Sequence, residues 1–338
     1  MKTIFRKEHL WLIAGGAALG LSFPPFPFPA QLLMFAGFVP LFIVIEEKEK
    51  LIEINRSAYL SFFIFNLITL YWVGSWQKQA DPFLMISGAL LVFVNPAFML
   101  IPTTLYYFSR RILPRNLSLF LIPFFWVCFE YIYMITDASF PWLTLGNALS
   151  HFYYFIQAAD IIGALGLSMA VLFINVLLTR AWQNRNNKNS MMIYSSGAVI
   201  ILVLFIGYGI IRTNIFRLSE NKIKVGLIQP DLNPWDKWSG GDLNSLLDEY
   251  FSLSEKSLKK GADIIVWPET ALPVYLFSGE HPEVVNKLYR FLADNRTVLM
   301  TGVPWLSYYY HGDKMPPDVK RSKNGDFYYA TYNSVVLV

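Results

Sequence analysis

Charge and thiol are what this chain has least of. Only 15% of its 338 residues are charged, against 54% hydrophobic, where a soluble domain carries about 25% charge. That shortage excludes a wholly soluble protein and points to a polytopic membrane chain with a smaller soluble part. The single cysteine, Cys128, stands in an apolar run. Neither a disulfide framework nor a cysteine-based zinc site can therefore be built from these residues. Repeats, low-complexity tracts and glycine-rich phosphate-cradling loops are missing. No metal, nucleotide or other cofactor is expected, and a net charge of +4 gives no reason to expect a nucleic-acid partner.

What the chain has in abundance is apolar runs of spanning length, about 17–25 residues each. Seven can be marked, at 9–24, 28–46, 57–76, 82–108, 116–136, 154–181 and 191–213. The first is short, because the proline-rich turn Pro24-Pro25-Phe26-Pro27-Phe28-Pro29 cannot continue a helix. The N-terminus resembles a signal peptide, but no small-residue cleavage site follows, so a retained first span is expected. Basic residues gather in alternate loops: Lys2, Arg6 and Lys7; Lys48, Lys50 and Arg56; Arg110, Arg111 and Arg115; Arg180, Arg185 and Lys188. The loops between them hold almost none, Lys78 being the clear case. Lys and Arg favour the cytoplasmic side, which puts the N-terminus inside and residues after about 213 outside.

Two carboxylates fall within the apolar runs. Glu130 lies well inside the fifth and Asp160 near the start of the sixth. Such groups face a cavity or a partner and are functional candidates, or they are held by a neighbouring Tyr or backbone group. Between these runs, Ser139-Phe140-Pro141-Trp142-Leu143-Thr144-Leu145-Gly146-Asn147 is apolar and aromatic but broken by Pro and Gly. It is expected at the outer interface, with Trp142 as an aromatic anchor there or as a contact for a substrate.

The composition changes near residue 221, which divides the chain into a membrane domain (1–214), a linker (215–221) and an outer domain (222–338). Residues 222–229 read as a central strand ending at Pro230. Asp242 is a candidate N-cap for a helix over about 243–260, whose leucines recur at i, i+3, i+4 spacing and which Gly261 closes. Ile264-Ile265-Val266 reads as a buried strand stopped by Pro268. Pro282 opens a second helix, 297–303 is a third strand, a polar loop covers about 304–328, and 329–338 is a fourth strand. Strand and helix alternate with short links, which is an α/β layer.

Within that layer Glu269 follows Trp267 and Pro268 at a strand's carboxyl end, where α/β layers place their sites. A carboxylate partly withdrawn from water there can act as a general base. Alternatively it caps the next turn or pairs on the surface.

These residues, taken together, resemble the apolipoprotein N-acyltransferases, whose outer domain is of the nitrilase (carbon–nitrogen hydrolase) type. The resemblance is carried by Val225-Gly226-Leu227-Ile228-Gln229-Pro230, Lys237-Trp238, Ile265-Val266-Trp267-Pro268-Glu269-Thr270-Ala271-Leu272-Pro273, Thr301-Gly302-Val303 and Tyr332-Asn333-Ser334. In the apolar part Trp126, Glu130, Phe140-Pro141-Trp142-Leu143, Leu145-Gly146, Gly163, Gly166 and Ser168 also fit. Tyr133 departs from it, standing where an Arg is common, as does Ser139 where a Gly is frequent. The implied fold is a polytopic α-helical membrane domain of about seven spans, followed by a partial nitrilase-like α/β domain of the αββα sandwich type.

The implied activity is acyl transfer at the bacterial inner membrane through a Glu–Lys–Cys triad. A thiolate attacks the sn-1 ester of a phospholipid donor and forms a thioester. The α-amino group of a diacylglyceryl apolipoprotein then accepts the acyl chain. Glu269 matches the general base; Trp238 matches a mobile-loop aromatic, a role for which Trp235 competes; Trp142 and Glu130 match substrate-side positions. The triad's Lys and Cys match no residue here. The expectation is therefore that the isolated 338 residues are inactive, being a truncated form, a fragment, or half of a protein completed by a second polypeptide. The rival readings are a binding-only membrane protein, a polytopic transporter and, lower still, a membrane-anchored amidase.

Overall fold

The computed structural model describes residues 7–78, 80–137, 139–216, 221–232, 242–323, 325 and 327–338. The chain divides into two compact units, Met1–Arg217 and Leu218–Val338. The first is helical: α1 (Lys7–Leu21), α2 (Val39–Glu46), α3 (Leu51–Leu70), α4 (Pro82–Phe98), α5 (Leu100–Ile112), α6 (Arg115–Leu119), α7 (Ile122–Ile135), α8 (Tyr153–Ile156), α9 (Ala159–Gln183) and α10 (Lys188–Ile215).

Among the described residues, five helical stretches are long and apolar enough to cross a membrane: Leu51–Gly74, Pro82–Ile112, Arg115–Ile135, Ala159–Gln183 and Lys188–Ile215. The first two of the seven expected spans come out shorter. Helix α1 has 15 residues, about 22 Å at 1.5 Å per residue, against a hydrocarbon core of about 30 Å. The prolines after Leu21 end it. The second stretch is a 3-10 turn over Ala30–Phe35 followed by α2. The fourth is broken at Met99, between Pro96 and Pro102.

The helical core is built on aromatic rings. Phe38 meets Trp126 edge-on at 5.1 Å, and Phe62 meets Trp126 at 5.5 Å. All three side chains are buried. Polar groups inside this core are spent on tying elements distant in sequence. The Asn175 side chain on α9 accepts from the Phe38 amide (2.9 Å) and donates to the carbonyl of Met34 (2.9 Å). At the end of the same helix, Arg180 pairs with Glu46 at 3.0 Å. The guanidinium also donates to the carbonyls of Arg115 and Asn116, so the buried pair has most of its donors used, which such a pair requires. Helix α10 stands apart: of its side, only Ala198 and Gly209 are buried, and Val199, Ile200, Val203 and Leu204 are exposed, as suits a surface facing lipid.

The second unit is a five-stranded mixed sheet in the order β1-β2-β3-β5-β4, with β1 Val225–Leu227, β2 Ile264–Val266, β3 Val298–Tyr309, β4 Lys320–Arg321 and β5 Tyr328–Leu337. Strands β1, β2 and β3 are parallel, and β3 pairs antiparallel with β5 over ten residue pairs. Two expectations are corrected. Strand β1 lies at the sheet's edge among the described residues, not at its centre. Strand β3 runs to Tyr309, well into the stretch read as loop, because its aromatic tail pairs with the equally aromatic start of β5.

Helices Leu243–Lys259 and Pro282–Asn295 cover one face of the sheet. Asp242 caps the first by accepting from the amides of Asn244 and Ser245, and Gly261 takes φ +84°. Leu247, Tyr250, Leu288 and Leu292 pack on Ile265 and Leu299. The opposite face is bare. Leu227, Val266, Met300 and Leu337 fall in one register row, and Leu227 is 77% exposed, Val335 69%.

The Asn175 bridge gives a direct test of the helical core. Asn175→Leu keeps the volume but strands the Phe38 amide and the Met34 carbonyl. A loss of about 1–2 kcal/mol is expected, read as a lower melting temperature of the detergent-solubilised protein. An unchanged melt would mean that the bridge carries no stability.

Candidate functional site

Glu269 follows β2 by three residues, and the sheet sets its position. The Trp267 amide donates to the Met300 carbonyl at 2.9 Å and the Ala271 amide to the Gly302 carbonyl at 3.2 Å. The Trp-Pro-Glu segment is therefore laid along β3 beyond the end of the regular strand. Gly302 is required there, because a Cβ on it would lie 2.6 Å from the Glu269 Cα. Thr270 then turns with φ +49°, a conformation that costs a side-chain-bearing residue about 1–2 kcal/mol. Strand β5 supplies the partner: the Asn333 side-chain amide donates to Glu269 Oε1. A cavity of about 260 Å³ opens beside the pair, lined by Val266, Met300, Gly302, Ser334 and Val335. It lies on the bare face of the sheet.

Two details differ from expectation. Glu269 is exposed, not partly withdrawn from water, because nothing among the described residues covers that face. The Trp267 indole is turned into the core, where its Nε1 donates to the Ser254 hydroxyl at 2.9 Å and its ring lies 4.7 Å from that of Tyr250. Burial, with a smaller contribution from Glu249, pushes the Tyr250 phenol up to about 12. The Glu269 side chain pairs with Asn333 and lines the cavity three residues beyond β2.

In the helical unit Glu130 has a definite structural task. It is 4% exposed, and its Oε1 accepts from Trp126 Nε1 at 2.9 Å and from the Leu145 amide at 2.8 Å. The next amide, Gly146, donates to the Ser168 hydroxyl at 2.9 Å. Glu130 on α7 and Ser168 on α9 thus hold the broken segment over Pro141–Leu143 and Leu145–Leu149, two 3-10 turns. Gly146 lets α9 approach closely, since a Cβ would meet the Ala164 carbonyl at 2.4 Å. Gly163, at φ 66° and ψ 178°, kinks α9 at that level.

The segment was expected as an interfacial anchor. Of it, Leu143, Thr144, Leu145 and Gly146 are buried among the helices, whereas Ser139, Pro141, Trp142 and Asn147 are exposed. Trp142 is 47% exposed, with its ring 5.9 Å from that of Trp72. It stands at the mouth of a cavity of about 370 Å³, lined by Phe23, Pro24, Gly146, Ile156 and Leu167. Tyr133 donates to Asn95 Oδ1 at 2.7 Å, and Asn95 in turn to Asn66 at 2.6 Å, which ties α7 to α4 and α3.

The structure thus sorts the residues singled out in sequence. Glu269 lies in one unit, on a cavity; Glu130 and Trp142 lie in the other, Glu130 on α7 holding the segment that carries Trp142. Trp238 lies outside the described residues, as does Trp235. Cys128 is exposed on α7. The role of Asn333 was not legible in sequence, because a ten-pair strand register decides which β5 side chain reaches Glu269. Ser168 was visible as part of a resemblance, but its acceptor role required the tertiary fold.

Residues 15–177 match the family model described as Apolipoprotein N-acyltransferase N-terminal domain. Curated relatives bearing the name apolipoprotein N-acyltransferase align over most of the chain. The protein from Chlorobaculum tepidum is 29% identical over 350 aligned residues, covering 100% of this chain and 62% of its own length. The one from Geobacter metallireducens is 29% identical, covering 89% and 58%. That from Rickettsia prowazekii is 28% identical, covering 85% and 56%. The chain therefore spans about three fifths of the length of the curated relatives it matches.

The Glu130 clamp predicts graded damage. Glu130→Leu orphans two buried donors at about 1–3 kcal/mol each, with a lower melting temperature and faster amide exchange over residues 141–149. Glu130→Gln, which keeps an acceptor oxygen, should lose less. Equal exchange in both variants and in the parent would dismiss the clamp.

Proposed function

We propose that this chain, which belongs to the apolipoprotein N-acyltransferase family, carries the membrane portion and the general base of an enzyme that moves an acyl chain from a phospholipid to the α-amino group of a diacylglyceryl-cysteine. One observation carries the reading. Glu269 stands on a cavity at the rim of an apolar sheet face that no described residue covers. Contiguous exposed apolar surface of this kind marks a site of contact, and an opposing sheet is the layer that such a face accepts. This supports a nitrilase-like αββα sandwich in which residues 222–338 form one layer and further polypeptide the other.

The chemistry assigns roles accordingly. Glu269 takes the proton of a thiol, which is mostly protonated at neutral pH and needs a base to attack an ester. It returns that proton to the departing lysophospholipid oxygen as the thioester forms, and later takes a proton from the incoming amine and passes it to the leaving thiolate. Asn333 holds the carboxylate by one oxygen and leaves the other toward the cavity. Cys128 belongs to the helical unit, on α7, and is not proposed as the nucleophile. The thiol, and the lysine that would stabilise the tetrahedral oxyanion, are assigned to the covering layer, on a continuation of this chain or on a second polypeptide. The 338 residues alone are then expected to form no acyl-enzyme.

The helical unit is proposed to cross the bacterial inner membrane seven times, with α1 and the Ala30–Glu46 stretch as its two short crossings. The basic loops support a cytoplasmic N-terminus and a periplasmic second unit. The cavity beside Trp142 is proposed to take an acyl chain; Trp238, if the resemblance holds, adds an aromatic contact.

Two experiments test this reading. With an alkyne-tagged phospholipid, the native gene product together with any partner should form a hydroxylamine-sensitive adduct. Glu269→Gln should slow its formation by about 10²–10⁴-fold; near-parental rates would remove Glu269 from catalysis. Separately, in a Cys128→Ser background, Lys314→Cys should react with a membrane-impermeant maleimide on spheroplasts, and Arg185→Cys only after lysis. The reverse pattern would overturn the orientation.

A further inference from the structure

Asp160, the second carboxylate within the apolar runs, takes no part in the clamp or in the proposed chemistry. The structure places it at the first turn of α9, where Tyr208 donates to it at 2.9 Å and Arg212 Nε at 2.7 Å. Arg212 lies in the last turn of α10. Both groups are partly exposed, and between them and α8 lies a cavity of about 300 Å³ lined by Tyr153, Gln157, Thr213 and Phe216.

Two features of this corner exceed what a helix-end ion pair needs. A guanidinium has five N–H donors in a fixed fork, and among the described residues Arg212 hydrogen-bonds only through Nε. Its terminal nitrogens are left with four donors and no described acceptor. The fork is the geometry that matches phosphate oxygens. Second, the cavity is amphipathic: its lining joins the Arg212 cation, the Gln157 amide and the Thr213 hydroxyl to the rings of Tyr153 and Phe216, the latter 5.8 Å from the guanidinium carbon. The two helix ends carrying the pair belong to the stretches Ala159–Gln183 and Lys188–Ile215, both long enough to span. On the membrane reading proposed above, their termini fall near the headgroup level, where phosphates are abundant.

From this geometry we infer that the cavity between Asp160, Arg212 and α8 is a binding site for a phosphate-bearing ligand, with the phosphate on the free edge of Arg212. Because Asp160 sits beside the cation, the pair is neutral overall. A dianion would feel both charges, whereas a zwitterionic phospholipid headgroup can set its phosphate on Arg212 and its ammonium toward Asp160. The site belongs to the helical unit alone and does not rest on the acyl-transfer reading.

The test is native mass spectrometry of the full chain in detergent, titrated with short-chain phosphatidylethanolamine, with inorganic phosphate as competitor. Arg212→Gln is expected to weaken lipid binding about tenfold, the loss of one charge-assisted contact. Thr213→Trp, which fills the cavity while sparing the ion pair, should weaken it as much without touching the fold's charges. Arg212→Lys, a point charge without the fork, should fall between. Failure of inorganic phosphate to compete identifies a lipid headgroup; full competition assigns the site to free phosphate. Parental affinity in both Arg212→Gln and Thr213→Trp overturns the proposal, whatever the outcome for Glu269.

Discussion

A backbone that leaves helical geometry inside an apolar bundle must find acceptors for its amides, since lipid and hydrocarbon side chains offer none. Residues 141–149 break into two 3-10 turns in the core of the helical unit, and the rest of that unit is arranged around satisfying them. Glu130 takes the Leu145 amide and Ser168 takes the Gly146 amide. Each acceptor comes from a different long helix, so the segment can exist only where α7 and α9 are both in place. The kink at Gly163 and the missing side chain at Gly146 then bring α9 close enough for the second bond. Trp142 and its cavity are a consequence: the ring is held at the surface because its neighbours are held in the core.

The outer unit solves a different problem with the same economy. A carboxylate after a strand would ordinarily wander with its loop. Here two amides on either side of Glu269 continue the pairing with β3 after the regular strand has stopped, and Asn333 fixes the side chain from β5. Three strands therefore determine one oxygen. The cost is concentrated at two positions, a left-handed Thr270 and a Gly302 that tolerates no side chain. Strain gathered next to an acidic side chain on a cavity is what a functional position shows more often than a purely structural one.

Much of this was legible in the residues because it depends on local chemistry. Proline placement ended α1 and set Glu269 just beyond β2; Asp242 and Gly261 bounded a helix; apolar runs of the right length became helices. What failed to show were the features set by register and by tertiary neighbours. The extension of β3 to Tyr309 depends on its pairing with β5; 329–338 read as a strand from sequence, whereas 304–309 read as loop. The edge position of β1 cannot be read from its own three residues. The burial of Leu145 was hidden because an aromatic, Pro- and Gly-broken stretch gives no sign of which helices supply the acceptors for its amides.

Glu130 and Glu269 are the same chemical group in two opposite uses, and the difference lies in how their oxygens are spent. Glu130 is buried, and one of its oxygens accepts two N–H donors from the Trp126 indole and the Leu145 backbone. Drawing it away to serve a reacting proton would release the segment that it holds. Glu269 is exposed, bonded by a single side-chain amide, and faces open volume on an apolar face. A base must be able to give up its contacts at low cost and must acquire its hydrophobic surroundings when the reactants arrive. Only the second carboxylate meets both conditions, and the apolar face beside it is where those surroundings would have to be supplied. The shared chemical type thus says little by itself; the number and permanence of its hydrogen bonds separate the strut from the carboxylate proposed as a base.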